Sequence, residues 1–343
     1  MALVALGVHT ILGSNGVVAA AEAFTLIATV FAAVYHAEVV AHRVGEPFGT
    51  LVLALAVTII EVALIVSTMI SGGTETARLA RDTIFSAVMI VCNGIIGLCL
   101  LAGGVRHYEQ NFHFQGAQAA LSVLIALTTL TLIFPNVTSI RAGPAFSSPQ
   151  LIFASIVSLI LYGSFLFVQT VRHRDYFLPE GGAGEAHALP PTNKIALVSA
   201  GWLLVSLIAV VALAKALTPT LERAIEAVGA PRTVMGIVIA GLVLLPEALA
   251  SYRAATANRM QTSMNLALGS VLATIGLTIP AVASVSMFLG RPLTLGLDVK
   301  EQLLLAVTFM ICLLTIATGR TSVLQGIVHL VLFAVFLFFA AVP

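Results

Sequence analysis

The stretches 50-TLVLALAVTIIEVALIVSTMI-70 and 236-GIVIAGLVLLPEALASYRAAT-256 decide the fold of this chain. Each is an apolar run of about 20 residues, which is long enough to cross the hydrocarbon core of a bilayer as a helix. Each also carries one carboxylate near its middle, Glu61 in the first and Glu247 in the second. An ionised carboxylate at that depth costs on the order of a few kcal/mol, so both glutamates need a chemical reason to be there.

The composition of the whole chain is that of a polytopic membrane protein. Of its 343 residues, 59% are hydrophobic and 9% are charged, whereas soluble domains have about 25% charged residues. Continuous apolar runs without two-residue alternation indicate helices rather than a barrel, because only these two structures satisfy the backbone in lipid. The sequence therefore predicts an all-α fold with ten spans, at approximately 17–37, 48–71, 83–104, 116–138, 150–171, 194–215, 232–255, 264–289, 299–318 and 321–341.

The spans divide into two sets of five. Residues 1–16 form a short hydrophobic segment without a basic start or a cleavage site, which we interpret as a truncated or surface-lying first helix. The Gly/Pro-rich loop 172–193 separates the first five-helix repeat, 17–171, from the second, 194–343. Because five is an odd number, the second set runs through the membrane in the opposite direction. Such inverted-topology repeats place a substrate site at their interface near the midplane.

A weak internal repeat links the two glutamates. An offset of 186 residues places Glu61 on Glu247 (247 − 61 = 186), and an offset of 183 places Asp82 on Asn265 (265 − 82 = 183). Matches between alanines and valines would often arise by chance in this composition, so the glutamate match carries nearly all of the information.

The chemistry of the two carboxylates predicts cation exchange. No Lys or Arg is expected at a comparable depth, so each carboxylate must be protonated, hydrated or bound to a cation. Burial and the proximity of a second carboxylate favour the protonated form, whereas a cation between the pair favours the ionised form and expels the protons. Oxygen ligands suit hard cations such as Ca²⁺ or Na⁺. Competition for one site therefore couples the cation to the proton.

Further oxygen donors are expected on the same faces. Their hydroxyls and amides would complete the site, although each hydroxyl could equally bond the carbonyl of its own helix four residues earlier. Pro246, just before Glu247, would break a helix bond and could expose carbonyls. The candidates are Thr58, Asp82, Ser86, Asn93, Ser251, Asn265, Ser270, Thr274 and Thr278. The connector that holds Glu38, His42, Arg43 and Glu46 is either a charged interfacial loop or a vestibule for cations.

Other functional classes fit less well. The net charge of +1 and the absence of basic clusters exclude nucleic acid as a partner. The three lysines lie outside any phosphate-binding loop, which excludes an ATP-driven pump. A passive channel would need a continuous polar pore, and the spans have few polar positions outside the two repeat motifs. An intramembrane enzyme would need paired aspartates or a Ser/His arrangement at depth, and the spans contain neither. We therefore expect a transporter rather than an enzyme, without a cofactor.

The remaining signals set limits rather than assign roles. The three cysteines lie within spans without C-x-x-C spacing, and His329, in the last span, is predicted to be a packing histidine. By the predicted spans, Lys and Arg are balanced at eight on each side of the membrane, so the charge rule gives no orientation. The sequence also leaves open whether the protein is a monomer or a homo-oligomer.

Four segments resemble a known family in order, spacing and loop character. They are 36-HAEVVAHRVGEPFGTLVLALAVTIIE-61, 101-LAGGVRHYEQNFHFQGAQAA-120, 265-NLALGSVLATIGLTIP-280 and 318-TGRTSVLQGIVHL-330. They are similar to segments of the Ca²⁺/H⁺ antiporters of the cation/Ca²⁺ exchanger superfamily, and above all to the bacterial ChaA-type branch, which exchanges Ca²⁺, Na⁺ or K⁺ for protons. The resemblance implies one helix plus two inverted five-helix repeats in the bacterial inner membrane, with one acidic residue from each repeat in the cation site.

The resemblance also assigns the glutamates. Glu61 falls on the glutamate of the family's G-N-A-x-E motif, although this sequence has Val57-Thr58 in place of Gly-Asn. Glu247 lies on the corresponding second-repeat helix, but ungapped alignment from Asn265 places the motif glutamate nearer Ser251, so both positions stay open. The expected function is exchange of Ca²⁺, and also of Na⁺ or K⁺, for H⁺ at Glu61 and Glu247. The alternative is a monovalent cation/H⁺ antiporter without Ca²⁺ transport.

Overall fold

The computed structural model describes most of the chain. Its described residues are 16–45, 48–71, 77–138, 143–178, 191–227, 229–231, 233–290 and 293–342. The predicted short first segment lies outside them except for Gly16, and so does most of the predicted central loop.

Ten helices in the described part are long and apolar enough to cross a membrane, as predicted. Apart from an isolated bridge between Asn111 and Arg320, these residues contain no β-structure. The helices are α1 (Gly16–Val44), α2 (Phe48–Ser71), α3 (Leu79–His107), α4 (Phe114–Asn136), α5 (Ser148–Arg172), α6 (Asn193–Ala227), α7 (Thr233–Thr256), α8 (Met260–Leu289), α9 (Val299–Ala317) and α10 (Val323–Ala341).

Several helix ends differ from the prediction. The prediction that Glu38, His42 and Arg43 lie in a connector is wrong, because α1 continues to Val44 and carries these residues on its last turns. The span predicted to begin at about residue 83 begins at Leu79, so Arg81 belongs to its first turn. Long polar side chains are tolerated at helix ends because they reach the interface, which is why a drop in hydropathy underestimates helix length.

Helices α3 and α8 lie at the centre, and about three quarters of the most apolar part of each helix is buried. Helix α2 of the first half packs on α8 of the second, and α7 of the second half packs on α3 of the first. The two five-helix repeats of opposite direction therefore interlock through the pair of helices that carries the glutamates. A second apolar cluster joins α1 and α6 to α2 and α7.

The outer surface is apolar. On α6, for example, Leu197, Leu204 and Ile208 are all more than half exposed. A large exposed apolar surface of this kind is characteristic of contact with lipid. The glutamates thus lie in the interior of a bundle whose outer faces fit a membrane.

Candidate functional site

Glu61 is sealed inside the bundle. Its side chain lies on α2, and the residue is 1% exposed. The Thr278 hydroxyl of α8 donates a 2.8 Å hydrogen bond to Glu61 Oε2. The Thr274 hydroxyl, one turn earlier on α8, is a second hydrogen-bond partner of the same carboxylate. The second half of the chain therefore supplies the hydroxyls that hold the glutamate of the first half.

Glu247 occupies a more open position. It is half-buried on α7 and lines a cavity of about 740 Å³. Its Oε2 atom is buried and has no hydrogen-bond partner among the described residues.

The cavity approaches Glu61 but does not reach it. Its walls include Val57, four residues before Glu61, and Ala273, the residue before Thr274. Glu61, Thr274 and Thr278 are not among the residues that line it. A cation or water molecule in the cavity therefore has access to Glu247 but not directly to Glu61.

Both glutamates lie near the middle of their helices. Glu247 is nine residues before Thr256, the last residue of α7, which corresponds to about 14 Å at 1.5 Å per residue. Glu61 is ten residues before Ser71, the last residue of α2, which corresponds to about 15 Å from the C-terminal end of that helix. This position confirms the depth that the two apolar stretches predicted.

Asp82 does not join this site. Its Oδ1 atom lies 2.8 Å from Arg81 Nε and 2.7 Å from Arg81 Nη2, in an ion pair at the start of α3. Arg81 is 2% exposed, donates from Nη1 to the carbonyl of Gly296 and lies 3.9 Å from Glu301. Arg81 is therefore a desolvated guanidinium that carboxylates compensate, but it lies in the first turn of α3 and not at the mid-helix depth of the two glutamates.

The position of Asp82 along the bundle explains the separation. Its backbone packs closely against Gly236 of α7. Gly236 precedes Glu247 by eleven residues, which is about 16 Å along the helix. Asp82 thus lies near one end of the bundle, and the structure does not bring it to the glutamates.

Asn93 is engaged in a separate polar cluster. It lies in a π-helical segment of α3, Ile90–Ile95. Its Oδ1 is 3.2 Å from His329 Nδ1, and its Nδ2 donates a 2.8 Å hydrogen bond to Thr308. His329 Nε2 lies 3.0 Å from the Thr315 hydroxyl. His329 is therefore a satisfied packing histidine, as predicted, and the amide of Asn93 is used within this cluster.

Asn265 and Thr58 also have hydrogen-bond partners other than Glu61. Asn265 lines the cavity, but its Nδ2 donates a 2.6 Å hydrogen bond to the carbonyl of Phe177 and its Oδ1 accepts from Gln261. The Thr58 hydroxyl donates to the carbonyl of Ala54, four residues earlier on the same helix. The polar groups of both side chains are therefore used in hydrogen bonds to residues other than Glu61.

Three serine candidates keep a free hydroxyl oxygen. Ser86 and Ser251 are completely buried, and Ser270 lines the same cavity as Glu247. The Oγ atom of each has no hydrogen-bond partner in the part of the chain that the structure describes. Buried polar atoms are rarely left unsatisfied. Ser270 is therefore the serine best placed to serve an ion held at Glu247.

The cavity mouth was not predicted as a whole. It is formed where α1 and α5 end and where α2 and α8 begin, by residues that include His42, Gly45, Gln169, Arg174 and Thr262. His42 and Gly45 belong to the segment that the sequence analysis interpreted as either a charged interfacial loop or a vestibule for cations. The roles of Gln169 and Arg174 had no signal in the sequence, because only the packing of distant helices places them beside this mouth.

The described residues offer a carboxylate pair rather than a rigid metal cage. Among them, no three His, Cys, Asp or Glu side chains are grouped so as to hold a metal ion. Two carboxylates and several hydroxyls suit a hard cation that binds and leaves, in contrast to the closed ligand sets of structural metals.

Comparison with known proteins identifies the family. The profile of the family described as "Sodium/calcium exchanger protein" matches residues 15–171 and 198–342. The chain belongs to this family. Its members are transporters, so the chain is a multi-pass membrane transport protein.

Two bacterial relatives align with almost the whole chain. A protein of Sinorhizobium fredii named "Putative ionic transporter y4hA" is 51% identical over 93% of this chain and 87% of its own length. The "Sodium-potassium/proton antiporter ChaA" of Escherichia coli is 37% identical over 91% of this chain and 85% of its own. These bacterial relatives and the ten apolar helices make this exchanger a bacterial membrane protein.

A solved structure has the same fold. The structure of native YfkE superposes with a TM-score of 0.77 at 18% sequence identity, over 100% of this chain and 97% of that chain. At this identity the likeness concerns the fold. It supports the ten-helix arrangement of the exchanger and leaves its ion to be inferred from the site.

Proposed function

We propose that this exchanger is a secondary active antiporter in which a cation and protons compete for the Glu61–Glu247 pair. The observation that carries the proposal is the placement of two mid-depth carboxylates from opposite repeats, one sealed and one in contact with a cavity. In the same proposal, residues 17–171 and 194–343 are the two halves that move relative to each other around this pair.

The geometry suggests an order of events. A cation that enters the cavity first meets Glu247, whose Oε2 atom lacks a partner among the described residues. Its charge favours the ionised carboxylates, so protons leave by the same cavity. When the pair carries neither protons nor a cation, two desolvated negative charges oppose closure. Exchange is then coupled because only a loaded pair is readily carried to the other side.

Ca²⁺ is the first candidate for the transported ion. Two ionised carboxylates balance the charge of one divalent cation, and hydroxyl oxygens from Thr274, Thr278 and Ser270 are hard ligands of the kind that Ca²⁺ prefers. The family description names both sodium and calcium, which is compatible with this candidate.

Na⁺ or K⁺ is the second candidate, and two observations favour it. The amides of Asn93 and Asn265, expected as neutral ligands, bond elsewhere, whereas Ca²⁺ takes about six to eight oxygen ligands. The Escherichia coli relative is also named as a sodium-potassium/proton antiporter.

Transport in reconstituted vesicles tests the proposal. A proton gradient is imposed, Ca²⁺, Na⁺ or K⁺ is added separately, and a pH-sensitive dye reports proton movement. We expect at least one ion to dissipate the gradient, and Glu61→Gln and Glu247→Gln each to abolish this response. Glu109→Gln, which neutralises an exposed loop carboxylate, serves as the matched control and should leave it unchanged.

Two outcomes would contradict the assignment. Absence of a response to all three ions in the unaltered protein would refute proton-coupled exchange of these ions. Full exchange in Glu247→Gln would remove Glu247 from the site and move the second ligand position to the turn around Ser251, whose hydroxyl has no partner among the described residues.

A further inference from the structure

The walls of the cavity carry an unexpected charge pattern. Among its lining residues, the only Asp, Glu, His, Lys or Arg side chains are Glu247, His42 and Arg174. The one permanent positive charge in the lining is thus an arginine at the mouth of a cavity that leads to a cation site. Cation pathways usually have acidic rings, whereas basic rings are typical of anion pathways.

The turn that carries Arg174 is firmly held in place. Arg174 begins the short 3-10 helix Arg174–Phe177 directly after α5. The side chains of Gln261 and Asn265, on the first turns of α8, donate hydrogen bonds to the carbonyls of Tyr176 and Phe177. Phe177 is buried in the main core. The structure therefore fixes the backbone of this arginine between the ends of α5 and α8, at the rim of the cavity.

The guanidinium of Arg174 is not neutralised by a neighbouring carboxylate of the described chain. Arg174 is exposed and makes no ion pair with a described residue, in contrast to the buried Arg81. Its charge consequently acts on whatever ion occupies the mouth. The apolar walls below it, including Phe165 and Leu166, strengthen that field because they exclude the solvent that would screen it.

We infer that Arg174 is a specificity-determining residue that disfavours divalent cations relative to monovalent ones. The inference rests on the proposed cation exchange and specifies its substrate class. Repulsion by a fixed charge scales with the charge of the ion, so the contribution of Arg174 to the free-energy barrier for entry is twice as large for Ca²⁺ as for Na⁺. The corresponding rate factor is squared: if Arg174 slows access of Na⁺ about threefold, it slows access of Ca²⁺ about ninefold.

Rates of exchange in vesicles test this relation with three variants. Arg174→Gln removes the charge, Arg174→Lys retains it, and Arg172→Gln removes an equal charge two residues away from an exposed side chain that does not line the cavity. Initial rates with subsaturating Ca²⁺ and Na⁺ are measured at about 0.01 M and about 0.15 M ionic strength, where the Debye length is roughly 30 Å and 8 Å.

The expected result is specific to charge. Arg174→Gln raises the Ca²⁺ rate by about the square of the factor by which it raises the Na⁺ rate, and the gain shrinks at the higher ionic strength. Arg174→Lys and Arg172→Gln keep the ratio of the unaltered protein. Equal changes in both rates, or the same change in Arg172→Gln, would overturn the inference.

A second measurement separates this inference from the proposed function. Ser270→Cys, in a background without the native cysteines, is labelled with a positively charged and with a neutral thiol reagent, with and without Arg174→Gln. The inference predicts faster labelling by the charged reagent alone once Arg174 is neutralised. Unchanged labelling would refute the role of Arg174 even if exchange is observed. Absence of exchange with any cation would refute the proposed function, whereas the labelling rates would still decide the role of Arg174.

Discussion

Glu61 and Glu247 occupy matching positions in the two repeats but have different surroundings. Glu61 is 1% exposed and accepts a hydrogen bond from Thr278, whereas Glu247 is half-buried, lines the cavity and keeps one oxygen without a described partner. Repeat symmetry in the sequence therefore does not produce equal environments. The difference is the one that a transporter needs when its site faces a single side of the membrane.

The asymmetry is already present in the residues of the partner helices. The offset of 183 that relates α3 to α8 places Thr274 on Val91 (274 − 183 = 91) and Thr278 on Ile95 (278 − 183 = 95). Val91 and Ile95 are buried apolar residues in the π-helical segment of α3. Helix α8 therefore offers two hydroxyls to Glu61, and the equivalent positions on α3 offer none to Glu247.

Shortening each carboxylate by one methylene should have the largest unequal effect. Glu61→Asp draws the carboxylate away from Thr274 and Thr278, and loss of both bonds costs about 3 kcal/mol or on the order of 100-fold in apparent cation affinity. Glu247→Asp changes a side chain on the cavity wall and should cost about 0.5 kcal/mol, roughly twofold. The apparent KM of cation-dependent exchange measures both. A larger loss in Glu247→Asp would reverse the comparison.

Removing one hydroxyl should have an intermediate effect. Thr278→Val keeps the shape of the side chain and removes the 2.8 Å bond to Glu61, which costs about 1.5 kcal/mol or roughly tenfold in apparent affinity. Thr278→Ser should restore most of it. Thr58→Val is the matched control, because the Thr58 hydroxyl bonds its own helix one turn from Glu61. Equal losses in the two valine variants would show that the Thr278 bond has no special role.

A thiol reagent should reach the cavity wall more easily than the surroundings of Glu61, and this difference can be measured without transport. Ser270→Cys lies on the cavity wall and should react with a membrane-impermeant thiol reagent added to one side of the vesicle. Thr278→Cys, two turns deeper beside Glu61, should be protected because that residue is completely buried. Similar reaction rates at the two positions would mean that Glu61 is not sealed from the cavity.

The sequence predicts the ten helices and the glutamate pair because both depend on local signals. Length and apolarity identify a span, and a carboxylate at its centre is conspicuous in any such run. The pairing of Arg81 was not predictable, since its partners include Glu301, whose side chain comes from the far end of the chain. The hydrogen bonds of Asn93 and Asn265 likewise depend on contacts with distant residues, so their amides could be nominated from sequence but not assigned.

The central claim is that cations and protons compete for the Glu61–Glu247 pair, and proton release on cation binding tests it most directly. Purified protein in weakly buffered detergent solution receives Ca²⁺, Na⁺ or K⁺, and a pH indicator counts the protons set free. We expect release that saturates with cation binding in the unaltered protein and no release in the Glu61→Gln/Glu247→Gln double variant. Cation binding without proton release, or equal release from the double variant, would contradict the claim.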